Sequence, residues 1–228
     1  MKRGFYTIMS AQFFSSLADN ALFVAAVELL RTSGAPEWQR AALVPMFALF
    51  YVVLAPFVGA FADALPKGRV MFFSNAIKIV GCLMMLFGSH PLIAYAVVGL
   101  GAAAYSPAKY GILTELLPAS QLVKANGWIE GLTIGSIILG VLLGGQLVGR
   151  KLSAWLLSFD FPLLDTGVGT AAEAAIAALI AVYAIAAWFN LRIPHTGVEM
   201  RPLRGTPQSS VLGSALTLLP DFWACNAR

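Results

Sequence analysis

The sequence predicts an all-α membrane protein of six transmembrane helices, and three observations carry that reading. Of its 228 residues, 59% are hydrophobic and 11% charged, with a mean hydropathy of +0.79. A soluble domain carries about twice that share of charge, so this chain needs lipid around it. Apolar runs long enough to cross a bilayer, about 20 residues each, fall near 7–30, 41–63, 69–89, 91–116, 125–148 and 171–191. In lipid each backbone polar group must find its partner within the segment, which makes such runs helices.

The first run follows "MKR", the kind of start a signal peptide has, but it is too long and carries Asp19. It therefore reads as an uncleaved helix. Connections after the second, third and fourth runs are short, whereas 149–170 is longer and holds Trp155, Asp160, Pro162 and Asp165. After Arg192 the chain turns polar and proline-rich. The expected organisation is a six-helix bundle over 1–192, then a cytoplasmic connector and the start of a missing second half over 193–228. With the N-terminus inside, the cytoplasmic ends hold Lys2, Arg3, Lys67, Arg69, Lys124, Arg192, Arg201 and Arg204. The outer ends hold Arg31, Arg40, Arg150 and Lys151, and this bias places both termini in the cytoplasm. The first and fourth helices are the polar ones, "AQFFSSLADN" and "AAAYSPAKYG", a placement that suits two inverted three-helix repeats.

Composition also excludes. The net charge of +4 is spent on topology, so no nucleic-acid partner is expected. Cys82 and Cys225 stand far apart without a Cys-x-x-Cys pair or a histidine cluster, so neither a disulfide framework nor a metal site is expected. There is no G-x-x-x-x-G-K-(S/T) loop for ATP, no paired nucleophile and base, and no cofactor is expected. The chain reads as a transporter rather than an enzyme.

Charges inside the apolar runs are the candidate functional residues. Asp19, beside Asn20, lies roughly 18 Å along its helix, close to the bilayer midplane. A central aspartate costs about 2.5–3.5 kcal/mol to insert, so it must face a cavity or a partner. Its alternative role is a structural hydrogen bond between helices, with Asn20 and Ser16 as local helpers. Lys109 follows Pro107, whose ring favours a kink. It either approaches Asp19 across the bundle, offers its ammonium to an anionic headgroup, or snorkels to the inner interface. Lys78 either reaches that interface on its long stem, the preferred reading, or faces a polar interior. Glu115 and Glu130, near inner helix ends, are solvated or gate-forming.

Two patterns concern packing and hinges. The fifth helix carries Gly127, Gly131, Gly135, Ser136, Gly140 and Gly144, small residues that let helix backbones approach in lipid. The segment "GAFADALPKGRV", 59–70, puts Gly59 and Asp63 at a helix end and Lys67, Gly68 and Arg69 in a tight basic turn. Acid and base at one cytoplasmic hinge form ion pairs that break when bundles separate, or simply a topogenic loop.

This segment resembles the major facilitator superfamily loop motif G-x-x-x-D-(R/K)-x-G-R-(R/K). Gly59 and Asp63 match, and Gly68 and Arg69 match after two extra residues. Gly131, Gly140 and Gly144 partly match the antiporter glycine motif, with Gly145 where its proline would stand. More specifically, "AQFFSSLADNALF", "LAPFVGAFADALPKGRVMFFSNAIK", "GLGAAAYSPAKYGILTELLP" and "LVKANGWIEG" resemble the bacterial lysophospholipid transporter family. Those proteins have twelve helices in the inner membrane, so the resemblance implies the N-terminal half of such a bundle. It also implies flipping of lysophospholipids, mainly lysophosphatidylethanolamine, from outer to inner leaflet, where an acyltransferase re-acylates them. Through "ADN" and "SPAKYG" it makes Asp19 and Lys109 headgroup or gating candidates, to which Asn20 and Lys78 are added as neighbours in polar stretches. The expected partners are a lysophospholipid, membrane lipid and the missing C-terminal half. A facilitator for another amphiphile or drug, and a truncated bundle that transports nothing, are the other readings the residues allow.

Overall fold

A computed structural model describes residues 3–158 and 169–193, with side chains described except at Arg3 and over 54–64. The chain forms α1 (Arg3–Thr32), α2 (Glu37–Ala64), α3 (Lys67–Leu86), α4 (Pro91–Leu116), α5 (Ala119–Val148), α6 (Arg150–Leu157) and α7 (Ala171–Leu191). Five of these, α1, α3, α4, α5 and α7, are long and apolar enough to cross a membrane, and α2 has the length at 28 residues. The protein is a multi-pass membrane protein. The connector expected beyond Ile193 lies outside the described residues, as do Asp160, Pro162, Asp165, Cys225 and the side chains of Gly59 and Asp63.

Helix ends follow from local chemistry. Proline precedes α2, α3 and α5 at Pro36, Pro66 and Pro118, where a missing N–H costs nothing. Pro91 opens α4 behind His90, whose ring accepts from the Leu92 N–H. Thr170 and Glu173 form a reciprocal capping box at the start of α7. Gly88 ends α3 at φ +79°, with Ser89 N–H donating to Met84 and Gly88 N–H to Met85. That left-handed stop suits glycine because it has no Cβ to clash.

The structure refines the turn between α2 and α3. It is only Leu65–Pro66; Lys67, Gly68 and Arg69 are not turn residues but the first turn of α3. Pro66, pre-set for a helix N-terminus, is the reason. The stretch after α5 also holds a short helix, α6, that hydropathy alone does not announce.

Around the bundle, α2 packs on α4, α4 on α3, α3 on α7, α7 on α1 and α1 on α5. Two apolar cores stack within it. One joins Ala18, Leu22 and Leu30 to Cys82, Met85, Tyr95, Ile176 and Tyr183. The other joins Phe5 and Ile8 to Val70, Met71, Ala108, Ile112, Ile129 and Ile193. Along α1 and α3 the cores are separated by the buried polar residues Gln12, Ser15, Ser16, Ser74, Asn75 and Lys78.

Candidate functional site

This polar layer is built by helical spacing. Ser15 and Asp19 are four apart on α1, and Asn75 and Lys78 three apart on α3, so each pair shares a face. Lys78 Nζ donates 2.8 Å to Asp19 Oδ2 and 2.9 Å to Ser15 Oγ. Ser15 passes its own hydrogen to Asn75 Oδ1 at 2.8 Å. From α7, the Tyr183 hydroxyl donates 2.8 Å to Asp19 Oδ1. The Lys78 ammonium also lies 5.2 Å from the Tyr105 ring centroid and 5.7 Å from that of Tyr183. Three helices are thus tied at one carboxylate, whose charge is met by a cation on one oxygen and a phenol hydroxyl on the other.

The expected roles are redistributed by this geometry. Lys78 does not snorkel: it is 1% exposed and is the partner of Asp19. An ion pair in the interior is reachable for it because α3 packs its Lys78 face toward α1 and α7, while a reach to the interface would leave Asp19 unpaired. Ser15, not Ser16, is the local helper. Asn20 turns back along its own helix, donating 2.8 Å to the Ser16 carbonyl. Lys109 does not pair with Asp19, whose two oxygens are already engaged. Its ammonium instead lies 4.3 Å from the Tyr110 ring centroid. Tyr110 in turn donates 2.6 Å to Glu130 of α5, on the exposed side of the bundle.

The glycines of α5 divide between two faces. A Cβ on Gly140 would stand 2.6 Å from the Leu17 carbonyl, and one on Gly144 2.7 Å from that of Ala21, so these two let α1 and α5 touch. Gly127, Gly131 and Gly135 have no atom within 4 Å of that position and pack on nothing described. At the α3 start, Gly68 fits beneath the Asn190 carbonyl and Ile193. Lys67 is buried there with its side chain along Gly111, while Arg69 is exposed.

Sequence reasoning missed Ser15, Asn75, Tyr105, Tyr110 and Tyr183. The same-face spacing of Ser15 with Asp19 and of Asn75 with Lys78 was a usable signal. Tyr183 had none, since its contact with Asp19 crosses 164 positions of chain.

The chain belongs to the major facilitator superfamily, whose family model matches residues 8–225. That superfamily is one of membrane transport proteins. Within it, the chain is 43% identical over 223 residues to the lysophospholipid transporter LplT of Yersinia enterocolitica (serotype O:8), matching 98% of this chain and 50% of that protein. LplT of Yersinia pestis (strain Pestoides F) is 42% identical over the same extent. The chain therefore spans about half the length of the curated relatives it matches. The fold is also similar, at TM-score 0.67 and 20% identity, to a bacterial homologue of the human lysosomal transporter Spinster in an inward-facing, unoccupied conformation. That likeness covers 92% of this chain and 47% of the other.

Proposed function

We propose that this chain is the N-terminal half of a secondary transporter that moves lysophospholipids, mainly lysophosphatidylethanolamine, from the outer to the inner leaflet of a bacterial inner membrane. An acyltransferase there returns the product to the diacyl pool. The observation that carries the reading is the similarity to LplT proteins along 98% of the chain. In this reading residues 1–192 form one six-helix bundle, 193–228 connect it to a second, and both ends of the chain are cytoplasmic.

The geometry supports an amphiphilic cargo. A phosphate needs a cation that is not already neutralised, and Lys109 is a buried one whose described contact is an aromatic face. An acyl chain needs only apolar surface, which lipid and the bundle supply. Asp19, Asn20 and Lys78 act in gating: their knot holds α1, α3 and α7 in one arrangement, and its loosening accompanies the rocking of one bundle against the other.

The test uses spheroplasts lacking their own lysolipid transporter. Labelled lysophosphatidylethanolamine is expected to become diacyl lipid when the full-length transporter is present, and not with the 228-residue chain alone. Absence of conversion by a well-expressed full-length protein overturns the reading.

A further inference from the structure

The polar layer holds more hydrogen-bonding capacity than its side chains use. Asn75 of α3, Tyr105 of α4 and Asn190 of α7 are all buried. Asn75 accepts from Ser15 at its Oδ1, but among the described residues its Nδ2 has no partner. The Tyr105 hydroxyl has none there either, nor has either end of the Asn190 amide. The Lys78 ammonium, with three hydrogens to donate, spends one on Asp19 and one on Ser15. These groups adjoin one another. Ser15 bridges Asn75 to Lys78, and the Lys78 ammonium lies 5.2 Å from the Tyr105 ring centroid. The Asn190 amide in turn faces the Tyr105 hydroxyl without closing a hydrogen bond to it.

A buried amide or hydroxyl left unpaired destabilises a fold, and native interiors keep few of them. Here they gather on three helices around one ammonium, in a layer closed on either side by an apolar core. Lys78 repels a cation and Asp19 an anion, which leaves a neutral ligand that both donates and accepts. We propose that this layer binds water between α3, α4 and α7 as a fixed part of the fold. Water bridges the Tyr105 hydroxyl to the Asn190 amide and continues to Asn75 Nδ2 and the third hydrogen of Lys78. Such water typically makes about three hydrogen bonds and is costly to remove. It gives the ammonium a further partner, so Lys78 is held toward Asp19 by more than the carboxylate alone. The site goes beyond the transport reading and does not depend on what the chain carries.

The test exposes the full-length transporter in detergent to hydroxyl radicals made by X-rays, which oxidise side chains that touch water. Tyr95 is the control, on the same helix and equally 4% exposed, but set against Phe23 and Phe47. Tyr105 is expected to be labelled several-fold faster than Tyr95. A second readout is the melting temperature. Tyr105→Phe removes one oxygen and keeps the ring beside Lys78. Where the hydroxyl holds water, its loss lowers the melting temperature by a few degrees. Removing an unpaired hydroxyl from a dry interior would leave it unchanged or raise it. Asn190→Leu is expected to lower it too, and the double variant by less than the sum of the two, because both dismantle one network. Equal labelling of Tyr105 and Tyr95, a Tyr105→Phe protein that melts no lower than wild type, or full additivity of the two substitutions overturns the proposal. None of these readouts involves lipid uptake, so the transport reading stands or falls separately.

Discussion

Asp19 and Lys78 sit in a balance that single substitutions upset and a double one restores. A buried ion pair is worth little against a well-packed apolar pair, yet removing one partner strands the other. Lys78→Met should therefore cost about 3–5 kcal/mol, and Asp19→Leu a similar amount, read as a fall in melting temperature in detergent. The double variant is expected to recover most of that loss while lacking transport, which separates stability from function. Tyr183→Phe removes one donor and leaves the ion pair, so its expected cost is smaller, about 1–3 kcal/mol. The need for a partner to Asp19 was legible in the sequence, because a midplane carboxylate has few alternatives. Which lysine answers it was not: the sequence offered Lys109 for that contact and read Lys78 as reaching the interface, and only helix packing turns Lys78 toward α1.

At the scale of the helix, α5 presents two faces that the sequence wrote as one glycine series. Gly140→Ala places a methyl against the Leu17 carbonyl and should separate α1 from α5, at about 1–3 kcal/mol. Gly135→Ala meets no described atom and should leave the melting temperature unchanged or raised, as alanine favours the helix. Spacing identified both sets of small residues because helical periodicity is local. It did not say which face is covered, because that depends on a partner helix more than a hundred positions away in the chain. The short helix α6 shows a similar limit: its apolar residues Leu152 and Leu156 dock on the core that holds Leu22 and Ile176 only once α5 and α7 are in place.

For the whole molecule, the alternation of short turns predicts which loops face which compartment. With native cysteines replaced, Ser33→Cys in the α1–α2 turn should react with an impermeant maleimide in intact cells. Ala119→Cys, at the α4–α5 turn, should react only after the membrane is opened; the reverse pattern would invert the topology. Long apolar helices were legible from hydropathy because each is a local property of about 20 residues, and five of the described helices are long and apolar enough to cross a membrane. The stacking of two apolar cores with polar groups between them was not, as it needs several helices in register. The Asp19 knot also has a history in time. Asp19 precedes Lys78 by 59 positions and Tyr183 by 164. At about 5–20 residues per second, a ribosome makes the lysine roughly 3–12 s after the aspartate and the tyrosine roughly 8–33 s after it. During those seconds α1 has no native partner for its carboxylate, so its first stable lodging is beside the insertion machinery or at the wet membrane edge. Among the described helices α7 is made last, and a ribosome that stalls before it leaves a half-made protein with Asp19 only partly satisfied.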